Sequence, residues 1–277
     1  MKADYHMHLE RGTLTHDWLA QFWQTAEERG LSEIGVSEHG HRFAEFREAM
    51  RPIWSRAEGA FADWFEGHFE QRLDDYVRLI EDAKKAGMPV KLGLEMDYAP
   101  GMEEETARVL AAYPWDYVLG SVHFLGGWGF DFRPDLGWDD KDMDEVYESY
   151  FRTLRAAAET GLFDVLAHPD VIKVFGHRPA KDPTQWYEET ADTIAKAGLA
   201  IEVSSAGLRK PVGEIYPASE LLAAFAKRGV PIVLSSDAHL PGDVGAGFDK
   251  LTDWTRGAGY QRFCTFAGRH REEHPLE

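Results

Sequence analysis

The chain has 277 residues, of which 44% are apolar and 13% are aromatic, enough to build a sizeable packed core. Its formal net charge of -18 disfavours anionic partners, so we expect no nucleic acid partner and no membrane partner. The single cysteine, Cys264, excludes an intrachain disulfide and a zinc site built on thiolates. No apolar leader follows Met1 and no run is long enough to span a bilayer, which predicts a cytoplasmic protein.

Short apolar runs alternate with longer amphipathic stretches along the chain, which is the rhythm of βαβ units. In chain order, strands are predicted at residues 3–8, 34–37, 90–95, 117–122, 165–167, 199–203 and 231–234, with a weaker candidate at 262–266. Helices are predicted at residues 15–29, 69–85, 103–112, 143–159, 183–197, 217–227 and 248–256. Residues 126–129 are interpreted as a loop.

Seven strands in strand–helix order predict an α/β fold, either a (β/α) barrel or its seven-stranded variant, formed as a single domain over residues 1–277. A doubly wound open sheet is the alternative. That fold carries a glycine-rich turn after its first strand, whereas this chain has His6-Met7-His8-Leu9-Glu10 there. Residues 42–66 exceed an ordinary connection and are interpreted as an excursion over the barrel mouth.

Ionisable side chains interrupt the predicted strands at their carboxyl ends. Six of the seven ends carry such residues, namely His6 and His8, Glu38 and His39, Glu95, His123, His168, and Asp237 and His239. The carboxyl ends of parallel barrel strands meet on one face, where barrel enzymes keep their active sites. The two-residue spacing of His6 and His8 also places both on one side of their strand.

Each of these residues alone has a simpler explanation, because a lone histidine in a strand is more often a hydrogen-bonded core residue. Together they would bury many ionisable groups in one place, which is costly unless the groups are paired. Metal ions would satisfy them jointly, and imidazole with carboxylate ligands suits zinc, manganese or iron. Among the other histidines, His16 begins the first predicted helix, and His41 competes with His39 as a ligand. Four more are interpreted as surface or loop residues: His68, His177, His270 and His274.

The order His-x-His, His, Glu, His, His, Asp-x-His resembles the polymerase and histidinol phosphatase (PHP) superfamily along nearly the whole chain. The similarity is closest to its histidinol-phosphate phosphatases, on three segments: residues 116–123 (DYVLGSVH), 208–211 (LRKP) and 235–239 (SSDAH). The resemblance implies a distorted (β/α)7 TIM-like barrel with a trinuclear metal site. It also implies a phosphatase of histidine biosynthesis that releases L-histidinol and phosphate from L-histidinol phosphate.

The resemblance implies the ligands of each ion residue by residue. One ion would take His6, His8, Glu95 and Asp237; a second would share Glu95 and take His123 and His168; a third would take His16, His39 and His239. This chain departs from the family pattern in two places. The interval from His8 to His16 is longer than the family's, and Glu38 stands where the family usually has Asp, which changes the reach of that carboxylate beside the third ion.

The expected chemistry is hydrolysis assisted by two or three divalent ions, which lower the pKa of water and neutralise phosphoryl oxygens in an in-line displacement. We predict that Glu95 bridges two of these ions. Either Asp237 or His239 would manage the proton of the leaving group, and the sequence leaves both open.

The substrate is predicted to be a small phosphate ester. Arg209 is the leading candidate for a phosphate clamp, because a guanidinium can engage phosphate through two hydrogen bonds. Arg178 and Lys210 are the other cationic candidates. In the loop after His123, Trp128 or Phe130 is expected to pack on the imidazole of the substrate, and Asp131 to meet its amine.

Other functions are open at this point. A phosphoesterase of the same superfamily could act on a nucleotide or another small phosphate ester. An amidohydrolase-like barrel also uses His-x-His and a late Asp, but a carboxylated lysine is expected there as the bridging ligand, whereas the third strand ends in Glu95. A non-catalytic metal-binding protein is the third alternative.

Overall fold

The computed structural model describes residues 1–139 and 141–276 of the chain. Its strands are β1 (Ala3–Asp4), β2 (Glu33–His39), β3 (Val90–Asp97), β4 (Tyr117–Ser121), β5 (Phe124–Leu125), β6 (Trp128–Gly129), β7 (Val165–Leu166), β8 (Ala200–Ser204), β9 (Ile232–Ser235), β10 (Arg262–Ala267) and β11 (His270–Pro275). Seven of them form one sheet in the order β1-β2-β3-β4-β7-β8-β9. Every neighbouring pair in it is parallel.

The sheet curls until its first and last strands meet. The backbone N–H of Tyr5 donates to the carbonyl of Leu234 at 3.1 Å, and that of His8 donates to Ala238 at 2.8 Å. These bonds continue the parallel pattern between the first and last strands, so the sheet is a nearly closed barrel. The architecture is therefore the distorted seven-stranded, TIM-like barrel that the resemblance implied, formed as a single domain.

Helices cover the outside of the barrel and alternate with its strands. They are α1 (His16–Glu28), α2 (Arg51–Trp54), α3 (Ala60–Glu66), α4 (Leu73–Lys85), α5 (Glu103–Leu110), α6 (Met143–Glu159), α7 (Thr184–Ala197), α8 (Ser219–Lys227) and α9 (Phe248–Gly257). Local signals set several of their ends. The Thr15 and Asp142 side chains accept backbone N–H groups at the starts of α1 and α6. Gly198 ends α7 in the left-handed region.

Two predicted segments differ from the structure. Residues 126–129, interpreted as a loop, include β6, which pairs antiparallel with β5 in a short hairpin that turns at Gly126 and Gly127. The weaker strand candidate at residues 262–266 is a real strand, β10, but it pairs antiparallel with β11 outside the barrel. Alternating exposed charges along β11 suit such a surface hairpin, and this strand was missed because no apolar residue alternates along it.

The hairpin of β10 and β11 lies against the amino-terminal end of the barrel. The backbone N–H of Arg269 donates to the carbonyl of Asp116 at 2.8 Å, and its guanidinium donates to Asp164 at 2.9 Å. Phe266 donates its N–H to the Tyr5 hydroxyl at 2.9 Å. This end of the barrel is thus plugged by packing, which leaves the carboxyl ends of the strands as the open face.

A tyrosine fills the lower interior of the barrel. Tyr117 on β4 is fully buried, and its hydroxyl donates to the carbonyl of Tyr5 at 2.8 Å. The ring lies over Gly35 on β2 and Gly93 on β3, where a Cβ atom would overlap it. These two glycines are therefore needed for volume, since their backbone is extended and accessible to any residue.

Within the described residues, no helix combines the length and the apolar character that crossing a bilayer requires.

We predict that Gly93→Ala lowers the free energy of unfolding by about 1–3 kcal/mol, because the added methyl group overpacks the barrel against Tyr117. Denaturant unfolding followed by circular dichroism measures this change. Gly257→Ala is the matched control. Its Cβ would meet open space at the end of α9, and we expect no loss of stability there. Equal unfolding midpoints for the two variants would contradict this account of the barrel interior.

Candidate metal centre

The carboxylate of Glu95, at the end of β3, lies at the centre of a histidine cluster. It is 1% exposed. Ring nitrogens reach its two oxygens from five histidines, at 2.8 Å for His39, 3.0 Å for His168, 3.2 Å for His6, 3.4 Å for His8 and 3.6 Å for His123. The strand-end residues therefore converge on the open face of the barrel.

Asp237 and His239, after β9, complete this cluster. The Asp237 carboxylate lies 3.4 Å from His8 Nε2 and 3.7 Å from His6 Nε2. The His239 ring packs 4.6 Å from that of His8. Asp237 has φ +50 and His168 has φ +23, values that residues other than glycine rarely adopt. Such strain persists only where the surroundings enforce it, and it commonly marks functional sites.

Several buried nitrogens in the cluster make no well-directed hydrogen bond among the described residues, although some of them lie within 3.4 Å of a carboxylate oxygen. They are His6 Nε2, both ring nitrogens of His8, His39 Nδ1, His41 Nδ1 and His168 Nδ1. Leaving buried polar atoms unpaired costs free energy. Ligand atoms of these side chains and of Glu95, Asp237 and Glu10 also lie within 4.8 Å of one another, in groups of three. Imidazole and carboxylate groups in this arrangement fit divalent metal ions.

The charge states in the cluster suit cations as well. Burial raises the pKa of Glu95, but the charges of His6, His39 and His123 outweigh it and hold that pKa well below its ordinary value. Burial, together with the neighbouring His39, moves the pKa of His8 well below its ordinary value. At neutral pH the centre therefore holds an ionised Glu95 and a neutral His8, the forms in which these groups bind metals. Although burial opposes it, the neighbouring carboxylates raise the pKa of His6, His39 and His123, so these rings would release their protons when metal ions bind.

Two buried acids behind the cluster orient its histidines. Glu202, on β8, accepts a hydrogen bond from His6 Nδ1 at 2.6 Å and from the backbone N–H of His168 at 2.6 Å. Asp97 accepts one from His123 Nδ1 at 2.8 Å. Carboxylates of this kind fix the ring orientation and the tautomer of a metal-binding histidine. Neither acid was assigned a role from the sequence. The available signals were the position of Asp97 two residues after Glu95 on β3, and the single charged residue, Glu202, inside the otherwise uncharged β8.

Glu38 makes no direct contribution to the cluster. Its carboxylate accepts hydrogen bonds from the backbone N–H of Leu9 and from the Arg42 guanidinium. It therefore ties the His-x-His segment to β2 and pairs with a buried arginine. The side chain of the next residue, His39, points to the opposite side of the strand, towards Glu95.

The residues that lie around the predicted third metal site are not the same as those that the resemblance implied. His16 is exposed at the first turn of α1, and it is absent from the groups of close donor atoms found in residues 1–139 and 141–276. Glu10 and His41 instead form such a group with His39, and His239 forms another with His8 and His39. The physical reason is the long interval after His8, which places His16 on α1, away from the cluster. Glu10 follows His8 by two residues and stays beside the cluster.

The excursion at residues 42–66 flanks this part of the site. Trp64 on α3 contacts the His41 ring edge-on at 4.7 Å and stacks on His68 at 3.7 Å. Burial lowers the pKa of His41 to about 4, so its ring is neutral. His68, interpreted from sequence as a surface residue, is half-buried against Trp64. The excursion thus shields the edge of the cluster at His41.

A cavity of about 80 Å³ opens at the cluster. The cluster contributes His39, Glu95, His123, His168, Asp237 and His239 to its lining. Its remaining wall is formed by Asp131, Val171, Val174, Lys210 and Tyr216. Of the three cationic side chains predicted to bind the phosphate, Lys210 is thus the one that lines this cavity.

The other predicted substrate-binding residues do not line this cavity. Arg209 donates to the carbonyl oxygens of Ser236, at 2.6 Å, and Asp237, so it supports the backbone under the cluster. Arg178 pairs with Glu214 at 2.8 Å in a different, larger cavity.

The two predicted aromatic residues are engaged in packing. Phe130 is fully buried, with its ring edge-on to Tyr150 at 5.7 Å. Trp128 packs on Trp138 at 4.9 Å and donates from Nε1 to the carbonyl of Leu136. Their neighbour Asp131 is the residue of this segment that reaches the cavity.

Comparison with known proteins gives relatives that are similar to this chain in sequence. A protein of Deinococcus radiodurans named "Probable histidinol-phosphatase" is 42% identical over 221 residues, which cover 76% of this chain and 82% of that protein. The histidinol-phosphatase of Bacillus subtilis is 26% identical, over 91% of this chain and 98% of that protein.

A solved structure also resembles the whole barrel. It is the histidinol phosphate phosphatase of Lactococcus lactis in complex with zinc, L-histidinol and phosphate. The two structures superpose with a TM-score of 0.77 over 98% of each chain, at 20% sequence identity, which supports the fold. The sequence profile of the PHP domain matches residues 4–206, most of this chain. The chain therefore belongs to the PHP domain family.

Proposed function

We propose that this chain is a metal-dependent phosphatase that hydrolyses L-histidinol phosphate to L-histidinol and phosphate. The observation that carries the proposal is the buried cluster of histidines and acids around Glu95, which lacks full hydrogen-bond pairing and opens to one cavity through His39, Glu95, His123, His168, Asp237 and His239. The histidinol-phosphatases among its relatives support the choice of substrate. A step in histidine biosynthesis follows from that substrate.

The cluster would hold two or three divalent ions. His6, His8 and Asp237 are grouped for one ion, and His6, Glu95 and His168 for another, with His123 Nε2 3.6 Å from Glu95. A third ion would lie among His39, His239, Glu10 and His41. Zinc, manganese and iron all suit these ligands, and the L. lactis protein was crystallised with zinc.

Bound ions would lower the pKa of water and neutralise the phosphoryl oxygens. The chain's own residues supply the rest. Water adds to phosphorus and gives up a proton, the ester P–O bond breaks with its electron pair on the departing oxygen, and that alkoxide takes up one proton, so that the products are the alcohol and phosphate. Asp237 and His239 both line the cavity, so we propose that one of them delivers this proton. His239 is 22% exposed and Asp237 is 13% exposed, which places His239 nearer to the solvent side of the site.

We propose Lys210, rather than Arg209, as the cationic side chain that meets the phosphate. Lys210 lines the cavity and is exposed at its rim. Arg209 is held by two backbone carbonyls and lies 3.6 Å from Asp243. An ammonium at the rim can attract a dianionic ester to an otherwise acidic protein.

The first prediction concerns substrate and metal together. Enzyme loaded with zinc, manganese or iron should release phosphate from L-histidinol phosphate in strong preference to nucleotide and sugar phosphates, and a chelator should abolish the release. Metal removal should also lower the free energy of unfolding, by about 3 kcal/mol relative to protein at an ion concentration 100 times Kd. Phosphate release and thermal unfolding measure the two effects. Metal-dependent release with another preferred ester would contradict the proposed substrate. No release from any ester would contradict the proposed phosphatase activity.

The second prediction concerns the support of His6. Glu202→Gln should weaken metal binding about 10–100-fold, because one amide oxygen cannot accept from both His6 Nδ1 and the His168 backbone. Competition with a chromogenic chelator measures the affinity directly. Glu104→Gln, at an exposed position on α5, is the control and should bind metal as the wild type does. An unchanged metal affinity in Glu202→Gln would contradict the role of Glu202 in positioning His6.

The third prediction concerns the phosphate. Lys210→Ala should lower kcat/KM about 10–100-fold, mainly through KM, because a charge-assisted hydrogen bond to the ester is lost. Lys250→Ala, exposed on α9, is the control. Steady-state kinetics at low ionic strength measure both variants, and bound metal should be unchanged. A wild-type KM in Lys210→Ala would contradict the assignment.

A further inference from the structure

A buried carboxylate at the seam of the barrel ties the last strand to the first. Asp4, on β1, is fully buried, and it is absent from the groups of close metal-binding atoms found among the described residues. Its Oδ1 accepts the backbone N–H of Ser236 at 2.9 Å. Its Oδ2 accepts the Ser236 hydroxyl and, at 2.8 Å, the backbone N–H of Gly245. The two tethered residues flank the segment that carries Asp237 and His239.

Residues 236–237 form a bulge in the pairing between the first and last strands. The backbone hydrogen bond of Tyr5 across the seam sets that residue opposite Ser235 in a parallel ladder. The next pairing joins Met7 to Ala238. Two residues of the last strand thus lie where the first strand has one. A β-bulge of this kind bends the strand and re-aims a side chain, and such bulges are common beside active sites.

The bulge aims one proposed ligand of the metal centre. Asp237 within it has φ +50, and its carboxylate lies 3.4 Å from His8 Nε2. An unbroken ladder would pair the Ser236 N–H with the Tyr5 carbonyl, which instead accepts a buried tyrosine hydroxyl at 2.8 Å. The Asp4 carboxylate supplies the acceptor that the neighbouring backbone does not, and a buried N–H without an acceptor would be costly.

We propose that Asp4 is a positioning residue, which holds the bulge so that Asp237 and His239 reach the metal centre. Its bonds to Ser236 fix the chain before these two residues, and its bond to Gly245 fixes the chain after them. The left-handed backbone at Asp237 persists only while its surroundings enforce it. The inference rests on the proposed phosphatase function and deepens it by naming an acid that acts through two residues of the site.

Asp4→Asn removes one of the two acceptor oxygens, so the Ser236 N–H and the Gly245 N–H cannot both be satisfied. Zinc binding, measured by competition with a chromogenic chelator, should weaken about 10–100-fold. At saturating zinc, kcat on L-histidinol phosphate should fall about tenfold or more, because Asp237 and His239 are displaced, whereas KM should change less than about threefold.

Asp116→Asn is the matched control, because it damages a similar buried acid at the other end of the barrel. The Asp116 carboxylate accepts the backbone N–H of Leu92 at 2.8 Å and that of Gly268 at 3.2 Å, one on each oxygen. Its loss should lower the unfolding midpoint, as the loss of Asp4 does, but leave zinc affinity and kcat as in the wild type.

A lower unfolding midpoint in Asp4→Asn, with zinc affinity and kcat as in the wild type, would overturn the proposal, since Asp4 would then only stabilise the fold. If Asp4→Asn does not fold, two serine variants decide. Ser236→Ala deletes the hydroxyl that bonds to Asp4 and should weaken zinc binding about fivefold or more, whereas Ser235→Ala deletes a buried hydroxyl without a hydrogen-bond partner and should not. Equal zinc affinities in these two variants would also overturn it. Wild-type enzyme that binds zinc but releases no phosphate from L-histidinol phosphate contradicts the proposed function alone, because zinc affinity still decides the role of Asp4.

Discussion

The rest of the site depends on one buried carboxylate, that of Glu95. A carboxylate removed from water is stable only beside positive charge or hydrogen-bond donors. Five imidazole rings from four strand ends supply that environment, and each must reach the same point. The barrel makes this possible, because parallel strands deliver their carboxyl ends to one face. The near closure between His8 and Ala238 brings the first and last strands together, so that the Asp237 carboxylate lies 3.4 Å from His8 Nε2.

Residues behind the metal cluster hold its side chains and backbone in place. Glu202 and Asp97 hold imidazole nitrogens that face away from the cluster, so the opposite nitrogens point inward with a defined tautomer. Glu38 with Arg42 fixes the backbone at Leu9 in the same way. The left-handed backbone at His168 and Asp237 is the cost of aiming these side chains, and the Arg209 hydrogen bonds to Ser236 and Asp237 help to keep the second of these segments in place.

The sequence predicted the barrel well because apolar periodicity marks buried parallel strands, and the strand-end ligands were visible as charged interruptions of those strands. It could not predict contacts that depend on side-chain direction. In the sequence, Glu202 is one residue of a predicted strand, and nothing there indicates that its carboxylate bonds to His6. Arg209 and Phe130 were placed in the cavity from chain position alone, whereas tertiary contacts turn the guanidinium onto backbone carbonyls and bury the ring. His16 was assigned by family spacing, and the longer segment after His8 carries it to an exposed position.

The overall charge gives a last constraint on how such a protein can bind an anion. At a net charge of -18, the surface repels a phosphate ester at long range, so attraction has to be local. Divalent ions in the cluster and Lys210 at the rim would provide it over a few ångströms, within the screening length at physiological ionic strength. An acid such as Asp131 would then be harmful beside the phosphate and useful beside an ammonium. Because Lys210 and Asp131 line the same cavity, its wall carries charges of both signs and suits a substrate that carries both.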